Sequence, residues 1–329
     1  MTAELRAVAD AFGLGLPVDA PAALPGGGSA RRWRLRTDRG IWMVKTYAEP
    51  ADWERQQMRD AGALERAAYA AGLAMPRPVE PTGTAIGLWQ PVGSGYARVT
   101  EWVAGTAPAT NTVPLAWWLG RTLATIDRLG LPADPSLGVA YTLYPPADWR
   151  RWLADARAAG LLERREAADA AAAVADLTAL VTAALATRPT FQLGHRDANA
   201  RNVLLTGHGP VLIDFDSAGP EVPWWGTVYH AWDLARADLA VLAPAVLDAY
   251  AEHGGRLGPA DATAFAGAAR GVLDGFAFHL RVATGDRPVD PDRRAAAVRN
   301  LPLYVRGIPE MPGLIDGWVR LLPGDPRHA

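Results

Sequence analysis

The first part of the chain alternates short apolar runs with polar turns. Trp33 and Leu35 alternate with polar residues, a turn follows at Asp38-Arg39-Gly40, and residues 41–44 form a second apolar run that leads to Lys45. Two short runs joined by a glycine-containing turn predict a β-hairpin. We expect Lys45 to end the second strand of this hairpin.

A helix and a second pair of strands are predicted next. Residues 52–72 are rich in Ala, Glu, Arg and Gln, contain no Pro, and stop before Met75-Pro76-Arg77-Pro78. This composition predicts a helix of about five turns. Residues 86–91 and 96–103 are short, aromatic and β-branched, and Gly93-Ser94-Gly95 separates them, which predicts two more strands.

Helical periodicity dominates the chain after Val103. A break at 104–108 precedes the helical region. We therefore place a boundary here, between an N-terminal lobe at 1–103 and a helical C-terminal lobe at 104–329. The predicted fold class is α+β, with an antiparallel sheet and one helix in the first lobe. Apolar residues recur at helical spacing within 114–129, 161–187, 239–252, 261–284 and 292–300.

Composition narrows the class of protein. The chain has 329 residues and is 50% hydrophobic, which is enough for one large core or two lobes. Its 33 basic and 35 acidic residues give a net charge of -2, so no electrostatic attraction to nucleic acid or to an anionic membrane is expected. The absence of cysteine excludes disulfides, thiolate metal sites and a cysteine nucleophile.

No targeting segment is predicted. Glu4 and Asp10 lie in a start that lacks the basic residues and apolar run of a signal peptide. The most continuous apolar stretch, 239–247, is far shorter than the roughly 20 residues of a membrane span. We expect a cytoplasmic protein, a monomer or homodimer, that binds neither membrane nor nucleic acid.

Lysine is nearly absent from the chain. Of the 33 basic residues, all but Lys45 are arginine. Arginine presents a planar fork, whereas lysine presents a compact charge on a slim stem, so a tight phosphate contact is one place where arginine would not substitute. Chance retention at a solvated strand end is the other interpretation of Lys45.

A loop at 195–202 and an apolar run that ends at Asp214 carry the candidate chemistry. Asn202 follows Asp197 in the loop, and a β-hairpin would return Asp214 beside the start of the loop. A carboxylate and an amide oxygen suit Mg²⁺, which favours one or two carboxylates together with substrate phosphates. Asn202 and Asp214 are therefore candidate metal ligands. Asp197 is left to orient a hydroxyl and accept its proton during attack on phosphorus.

This order of residues resembles the aminoglycoside phosphotransferase family, which has the two-lobed protein-kinase-like fold. The resemblance rests on His195-x-Asp197, on Asn202 and on Ile213-Asp214-x-Asp216, and it extends over most of the chain. It implies that Asp197 is the catalytic aspartate and that Asn202 and Asp214 hold Mg²⁺. It also makes the lobe at 1–103 the nucleotide-binding lobe, in which Lys45 would contact the α- and β-phosphates of ATP, with GTP left open.

The resemblance also implies further nucleotide contacts. A glycine-containing loop would bring Gly27, Gly28 and Ser29 to the phosphates, although this segment alone fits a flexible connector equally well. The backbone of Glu101, Trp102 and Val103 would face adenine. In this fold a helix carboxylate pairs with the strand lysine. The candidates are Glu54, Asp60 and Glu65; we select Glu65, whose setting equally fits a solvated face.

Three polar residues near the predicted site have other interpretations. His195 is favoured as a structural hydrogen-bonding residue over a base, because the catalytic carboxylate is already supplied. Asp216 is either a second metal contact or a loop residue paired with Arg196 or Arg201, and it is kept as a candidate acceptor-site residue. Asn199 is interpreted as a turn former.

The acceptor site is predicted less directly. Trp224 and Trp225 follow residues 213–216, which we call the metal loop. An indole offers a broad face for a sugar or ring system, with packing between helices as the alternative. Asp274 and His279 are further candidates, although helical periodicity equally places them in core or solvent. From Asp216 onwards there are 14 acidic and 11 basic residues, which disfavours a highly charged acceptor.

Two observations disfavour neighbouring kinase classes. Lys45 is the only lysine and no glycine precedes it, so a Walker A loop is absent. No Ala-Pro-Glu segment follows residues 214–216, which argues against a protein kinase.

The sequence predicts transfer of the ATP γ-phosphate to a hydroxyl group of a small molecule, an antibiotic or other secondary metabolite. The alternatives are a primary-metabolism kinase for an amino alcohol, sugar or vitamin, and a non-catalytic nucleotide-binding pseudokinase.

Overall fold

The computed structural model describes residues 3–25, 30–137, 143–236 and 238–324. The helices are α1 (Ala3–Ala11), α2 (Asp52–Ala70), α3 (Val113–Arg128), α4 (Pro146–Ala158), α5 (Arg164–Ala186), α6 (Pro223–Ala235), α7 (Leu239–Glu252), α8 (Ala266–Thr284), α9 (Pro291–Gly307) and α10 (Met311–Trp318). The strands are β1 (Ala22–Leu24), β2 (Arg31–Thr37), β3 (Gly40–Tyr47), β4 (Gln90–Val92), β5 (Gly95–Glu101), β6 (Gln192–Gly194), β7 (Val203–Thr206), β8 (Gly209–Leu212) and β9 (Gly219–Glu221).

The chain divides into two compact units. The first combines 1–140, 191–221 and 233–255, and the second combines 141–190, 222–232 and 256–329. This grouping places α3 and α7 in the same unit as the sheet. It does not test the lobe boundary after Val103, which remains a prediction.

An antiparallel sheet with the strand order β1-β2-β3-β5-β4 organises the first unit. The predicted hairpin is formed by β2 and β3, paired from Arg31↔Thr46 to Thr37↔Gly40. The sequence predicted that Lys45 ends the second strand. The strand runs on to Tyr47, so Lys45 lies inside β3. The ladders of β3 with β2 and with β5 hold the Lys45 backbone on both sides.

Helix α1, which the sequence pattern did not predict, packs on one face of this sheet. Leu5 and Val8 of α1, and Phe12 directly after it, join a buried cluster with residues of β2, β3 and β5, among them Leu35 and Val44. Each such side chain contributes about 1.5–3 kcal/mol when it is fully buried. This cluster fixes the sheet whose other face carries Lys45.

The second predicted strand pair is shorter than expected. It is formed by β4 and β5, whereas residues 86–89 form a turn closed by a bridge between Ile86 and Trp89. Pro91 lacks an N–H donor, which confines β4 to the edge of the sheet. The predicted helix at 52–72 is α2, and Glu54 accepts a hydrogen bond from the Ala51 amide at its start.

The helical periodicity after Val103 corresponds to α3, α5, α7, α8 and α9, whereas α4, α6 and α10 were not predicted. In the second unit α5 packs against α4 and α8. By length and composition alone α5 could cross a membrane, a test that core helices also pass. Its buried side chains include Leu177 and Val181.

A close helix contact in the first unit gives a direct test of packing. A Cβ added at Gly120 of α3 would lie 2.2 Å from the Val246 carbonyl oxygen of α7. We predict that Gly120→Ala lowers the free energy of unfolding by about 1–3 kcal/mol, since the two backbones must separate. Urea titration measures this change. Gly271→Ala on α8, where a Cβ meets open space, is the control and should be neutral or stabilising; equal effects would contradict the close contact.

Candidate active site

A short hairpin brings the two candidate metal ligands together. β7 and β8 pair from Val203↔Leu212 to Thr206↔Gly209. At the open end of the hairpin the Ile213 amide donates to the Asn202 carbonyl at 2.9 Å. The β-hairpin that the sequence spacing predicts is therefore present, and Asp214 follows directly from its second strand.

The Asp197 carboxylate is held by two asparagines. Asn202 Nδ2 donates to Asp197 Oδ2 at 2.7 Å and to the Asp197 carbonyl at 2.8 Å, and Asn199 Nδ2 donates to Asp197 Oδ1. Asn199 also accepts from the Arg201 amide at 3.0 Å, which is the turn-forming role expected for it. Burial raises the pKa of Asp197, and the hydrogen bond from Asn202 opposes that rise.

His195 supports the same loop as a neutral ring. It is 1% exposed, its Nδ1 accepts from the Asp197 amide at 3.3 Å, and its Nε2 donates to the Ile213 carbonyl at 3.2 Å. Burial lowers the pKa of His195 to about 4. Both ring nitrogens thus hold backbone groups of the two loops, which agrees with the structural interpretation of this residue.

Asp214 adopts an unusual backbone conformation and binds the single lysine. Its φ is 65°, in the left-handed region that few residues other than glycine adopt. Lys45 Nζ donates to Asp214 Oδ1 at 2.7 Å and to Asp216 Oδ2 at 2.5 Å. The strained residue therefore lies at the point where the metal loop meets β3.

The predicted ion pair between Lys45 and Glu65 is wrong. Glu65 of α2 accepts instead from Arg98 Nη2 of β5 at 2.5 Å, while Arg98 Nη1 donates to Asp216. Arg98 is the partner of Lys45 in the β3–β5 register, so it lies between the lysine strand and the helix carboxylate. Nothing in the sequence singled it out, because its role depends on pairing between strands.

Asp216 likewise differs from the expectation that it pairs with Arg196 or Arg201. Its partners are Lys45 and Arg98, and its carbonyl accepts from Gln57 Nε2 of α2 at 2.7 Å. Burial alone would raise the pKa of Asp216, but the two cations outweigh burial and lower it to about 2. The carboxylate therefore stays charged over the physiological range.

Glu65 and Arg98 are the most buried members of this network, at 2% and 5% exposed. Burial raises the pKa of Glu65, and Arg98 opposes it. Burial would lower the pKa of Arg98, but Glu65 and Asp216 raise it further. Each buried charge thus depends on its partners to remain ionised.

Two cavities meet at these residues. The larger has a volume of 610 Å³ and is lined by Asp197, Asn202, Asp214 and Asp216 together with three aromatic rings, those of Tyr47, Trp53 and Trp89. The smaller has a volume of 210 Å³ and is more apolar. Its lining includes Met43, Val103, Leu204 and Phe215.

The segment expected to face adenine lines the smaller cavity. The amides of Glu101 and Trp102 donate to the carbonyls of Arg77 and Ile41, each at 2.9 Å. Among the described residues no hydrogen-bond partner is recorded for the Val103 amide. Of the three, Val103 is therefore the residue whose amide is available to a planar base. Gly27, Gly28 and Ser29 lie outside the described residues.

Four of the candidate acceptor residues, Trp224, Trp225, Asp274 and His279, lie in the second unit, whereas Asp216 lies in the first. Trp224 and Trp225 are each 4% exposed, and Trp224 Nε1 donates to the Pro259 carbonyl at 3.1 Å. Asp274 pairs with Arg270, and His279 Nδ1 donates to the Gly275 carbonyl at 2.7 Å. Their contact with an acceptor remains a prediction.

The donor set at the hairpin fits Mg²⁺. The side-chain nitrogen of Asn202 donates to Asp197, so the side-chain oxygen of Asn202 is the atom that can bind a metal. Lys45 contacts one oxygen of Asp214, which leaves the other carboxylate oxygen for the same role. Within the described ranges no group of three or more His, Asp or Glu side chains forms a metal cage. Mg²⁺ is usually coordinated by a few protein oxygens, with phosphate oxygens completing its shell.

Comparison with known proteins identifies relatives in fold and family. Residues 22–261 match the model of the phosphotransferase enzyme family, APH. No curated protein matches the sequence. A spectinomycin phosphotransferase solved with ADP and spectinomycin is similar at 13% identity, covering 93% of this chain and 95% of that one, with a TM-score of 0.64.

Two further solved structures show the same likeness. A microcompartment-associated aminopropanol kinase is 16% identical, with coverage of 96% and 99% and a TM-score of 0.62. An amicoumacin kinase solved with AMP-PNP, Ca²⁺ and its substrate is 12% identical, with coverage of 93% and 92% and a TM-score of 0.61. At such identities the likeness shows the fold, which confirms the predicted α+β protein-kinase-like class.

The role of Arg98 can be tested through stability. We predict that Arg98→Met lowers the free energy of unfolding by about 3–5 kcal/mol, because the buried Glu65 loses its partner. The double variant with Glu65→Met should recover part of the loss, as measured by denaturant titration. Arg36→Met is the matched control, since its pair with Asp19 is exposed and is worth less than about 1 kcal/mol. An Arg98→Met protein as stable as this control would contradict the network.

His195 predicts a specific pH dependence of stability. Its pKa is about 4 in the folded state and 6.5 in the reference state, so the unfolded chain binds the proton first as pH falls. Stability should therefore decline from about pH 6.5 to pH 4, by on the order of 3 kcal/mol from this residue. His195→Gln, which can donate and accept without titrating, should flatten this dependence in denaturant titrations. The exposed His208→Gln should leave the dependence unchanged, and a steep decline retained in His195→Gln would refute the assignment.

Proposed function

The chain belongs to the phosphotransferase enzyme family, and on that premise we propose that it transfers the γ-phosphate of ATP to a hydroxyl group of a small molecule. The observation that carries the proposal is the shared cavity of Asp197, Asn202, Asp214 and Lys45. These are the residue types that position a hydroxyl, hold a divalent cation and bind phosphate. The smaller cavity, lined by Val103, adjoins them and accommodates the base.

Asp197 acts on the acceptor hydroxyl. Both of its carboxylate oxygens are oriented by amide donors of Asn199 and Asn202, so the carboxylate cannot rotate away from the cavity. Its raised pKa makes it a better proton acceptor than an exposed aspartate. The neutral His195 ring fixes the Asp197 backbone, and it takes no part in proton transfer because both ring nitrogens are occupied.

Charge neutralisation at the phosphates is shared between Lys45 and the metal. Lys45 binds the phosphates by exchanging one of its two carboxylate partners for a phosphate oxygen. Asn202 and Asp214 hold Mg²⁺, which when bound neutralises charge on the transferring phosphoryl group. The likeness to structures solved with ADP, or with AMP-PNP and Ca²⁺, supports a nucleotide and a divalent cation here, with GTP as the alternative donor.

For the acceptor we propose an antibiotic or other secondary metabolite. Support comes from the fold likeness to a spectinomycin phosphotransferase and to an amicoumacin kinase, and from the aromatic rings that line the larger cavity. Trp53 is an exposed ring there, available to stack on an acceptor ring system. An amino alcohol is the second candidate, which the likeness to an aminopropanol kinase favours.

The catalytic assignment is tested by Asp197→Ala. We predict that it lowers kcat by about 10²–10⁴-fold, because the hydroxyl loses its proton acceptor. ATP affinity should change less than about twofold, since Asp197 binds the acceptor side. A coupled ADP-release assay with Mg²⁺-ATP and a panel of hydroxylated antibiotics, amino alcohols and sugars measures turnover.

Asp134→Ala, an exposed aspartate, is the matched control and should retain full activity. Turnover by Asp197→Ala at the rate of the control would refute the role of Asp197. ATP binding without ADP release for any member of the panel would favour the non-catalytic nucleotide-binding alternative.

A further inference from the structure

Three cationic side chains lie side by side across the sheet. In the strand register Arg32 of β2 faces Lys45 of β3, and Lys45 faces Arg98 of β5. Directly paired residues of antiparallel strands project from the same face of the sheet. Like charges opposite each other are destabilising, so this row must be balanced by anions.

The three cations differ in their exposure to solvent. Arg98 is deeply buried and pairs with Glu65 and Asp216. Lys45 is also buried and pairs with Asp214 and Asp216. Arg32 is half-buried, so of the three side chains it is the one most accessible to a ligand.

Arg32 also lies where the two cavities join. Of the described residues, only Arg32, Lys45 and Asp214 line both the larger and the smaller cavity. A nucleotide with its base beside Val103 and its terminal phosphate beside Asp197 has to pass its phosphates between these three side chains. Two of the three are cations.

The carboxylates of the larger cavity make a second cation necessary. Asp197, Asp214 and Asp216 all line it, and each repels an incoming polyphosphate. The single charge of Lys45 is already shared between the two carboxylates of Asp214 and Asp216. A guanidinium at the junction offers paired N–H groups that match two phosphate oxygens.

We propose that Arg32 binds the polyphosphate of the nucleotide as the second cation beside Lys45. This inference rests on the proposed function, because it assumes that the two cavities hold a nucleotide. Lys45 and Arg98 also hold the metal loop against the sheet through Asp214 and Asp216. Arg32 lies beside Lys45 where the two cavities join, and there its guanidinium can pair with phosphate oxygens.

The test measures direct binding of adenosine, AMP, ADP and ATP by calorimetry, without an acceptor. Arg32→Met should weaken ATP binding by about tenfold, in keeping with the loss of a charge-assisted pair. ADP binding should weaken less, and adenosine binding should change less than about twofold. Arg32→Lys should retain part of the ATP affinity.

The matched control is Arg31→Met, the preceding arginine, which is exposed and projects from the opposite face of the same strand. It should leave all four affinities unchanged. Equal ATP affinity in Arg32→Met and Arg31→Met would overturn the proposal, as would an equal loss of adenosine affinity in Arg32→Met. If the unmodified protein binds none of the four ligands, the proposed function itself fails. Circular dichroism confirms folding, and Arg32→Gln replaces Arg32→Met if the latter does not fold.

Discussion

The ion pair between Lys45 and the two carboxylates of the metal loop is the constraint on which the site depends. It joins positions 169 and 171 residues apart in sequence, from the middle of a sheet strand to the end of a hairpin. Asp214 reaches it only through a left-handed backbone conformation, which costs on the order of 1–3 kcal/mol. That cost is sustained because the hairpin, His195 and Lys45 hold the loop from three directions.

Such a network is a poor source of stability but a strict positional device. Removing charges from water costs about as much as their attraction returns, so a buried ion network gains the fold little over apolar packing. Its partners must nevertheless meet in one geometry, because a misplaced charge would be left without compensation. Asp216 is shared by Lys45 and Arg98, and Gln57 holds its carbonyl. The network thereby fixes α2, the sheet and the metal loop relative to one another within the first unit.

The candidate loop at 195–202 could be identified from the sequence, but the charged partners around it could not. Spacing along the chain was sufficient for the hairpin that joins Asn202 to Asp214, since a two-strand return is a local event. Arg98 and Arg32 could not be identified in the same way, because their roles follow from the register between strands. Helices α1, α4, α6 and α10 were missed, and α6 carries Trp224 and Trp225, which the sequence suggested as acceptor-site residues. Tertiary burial of these rings is not visible in a hydropathy pattern.

The distribution of lysine and arginine over the site follows from their shapes. Arg98 contacts Glu65 through one terminal nitrogen and Asp216 through the other, a bridge that requires the fork of a guanidinium. Lys45 places one compact nitrogen within hydrogen-bond distance of two carboxylates of a single loop, a contact that uses a point charge and not a planar fork. In a chain whose other basic residues are all arginine, the single lysine therefore lies where one compact charge contacts two carboxylates of the same loop. The carboxylate of Glu65 on α2 therefore forms its ion pair with the neighbouring Arg98 and not with Lys45.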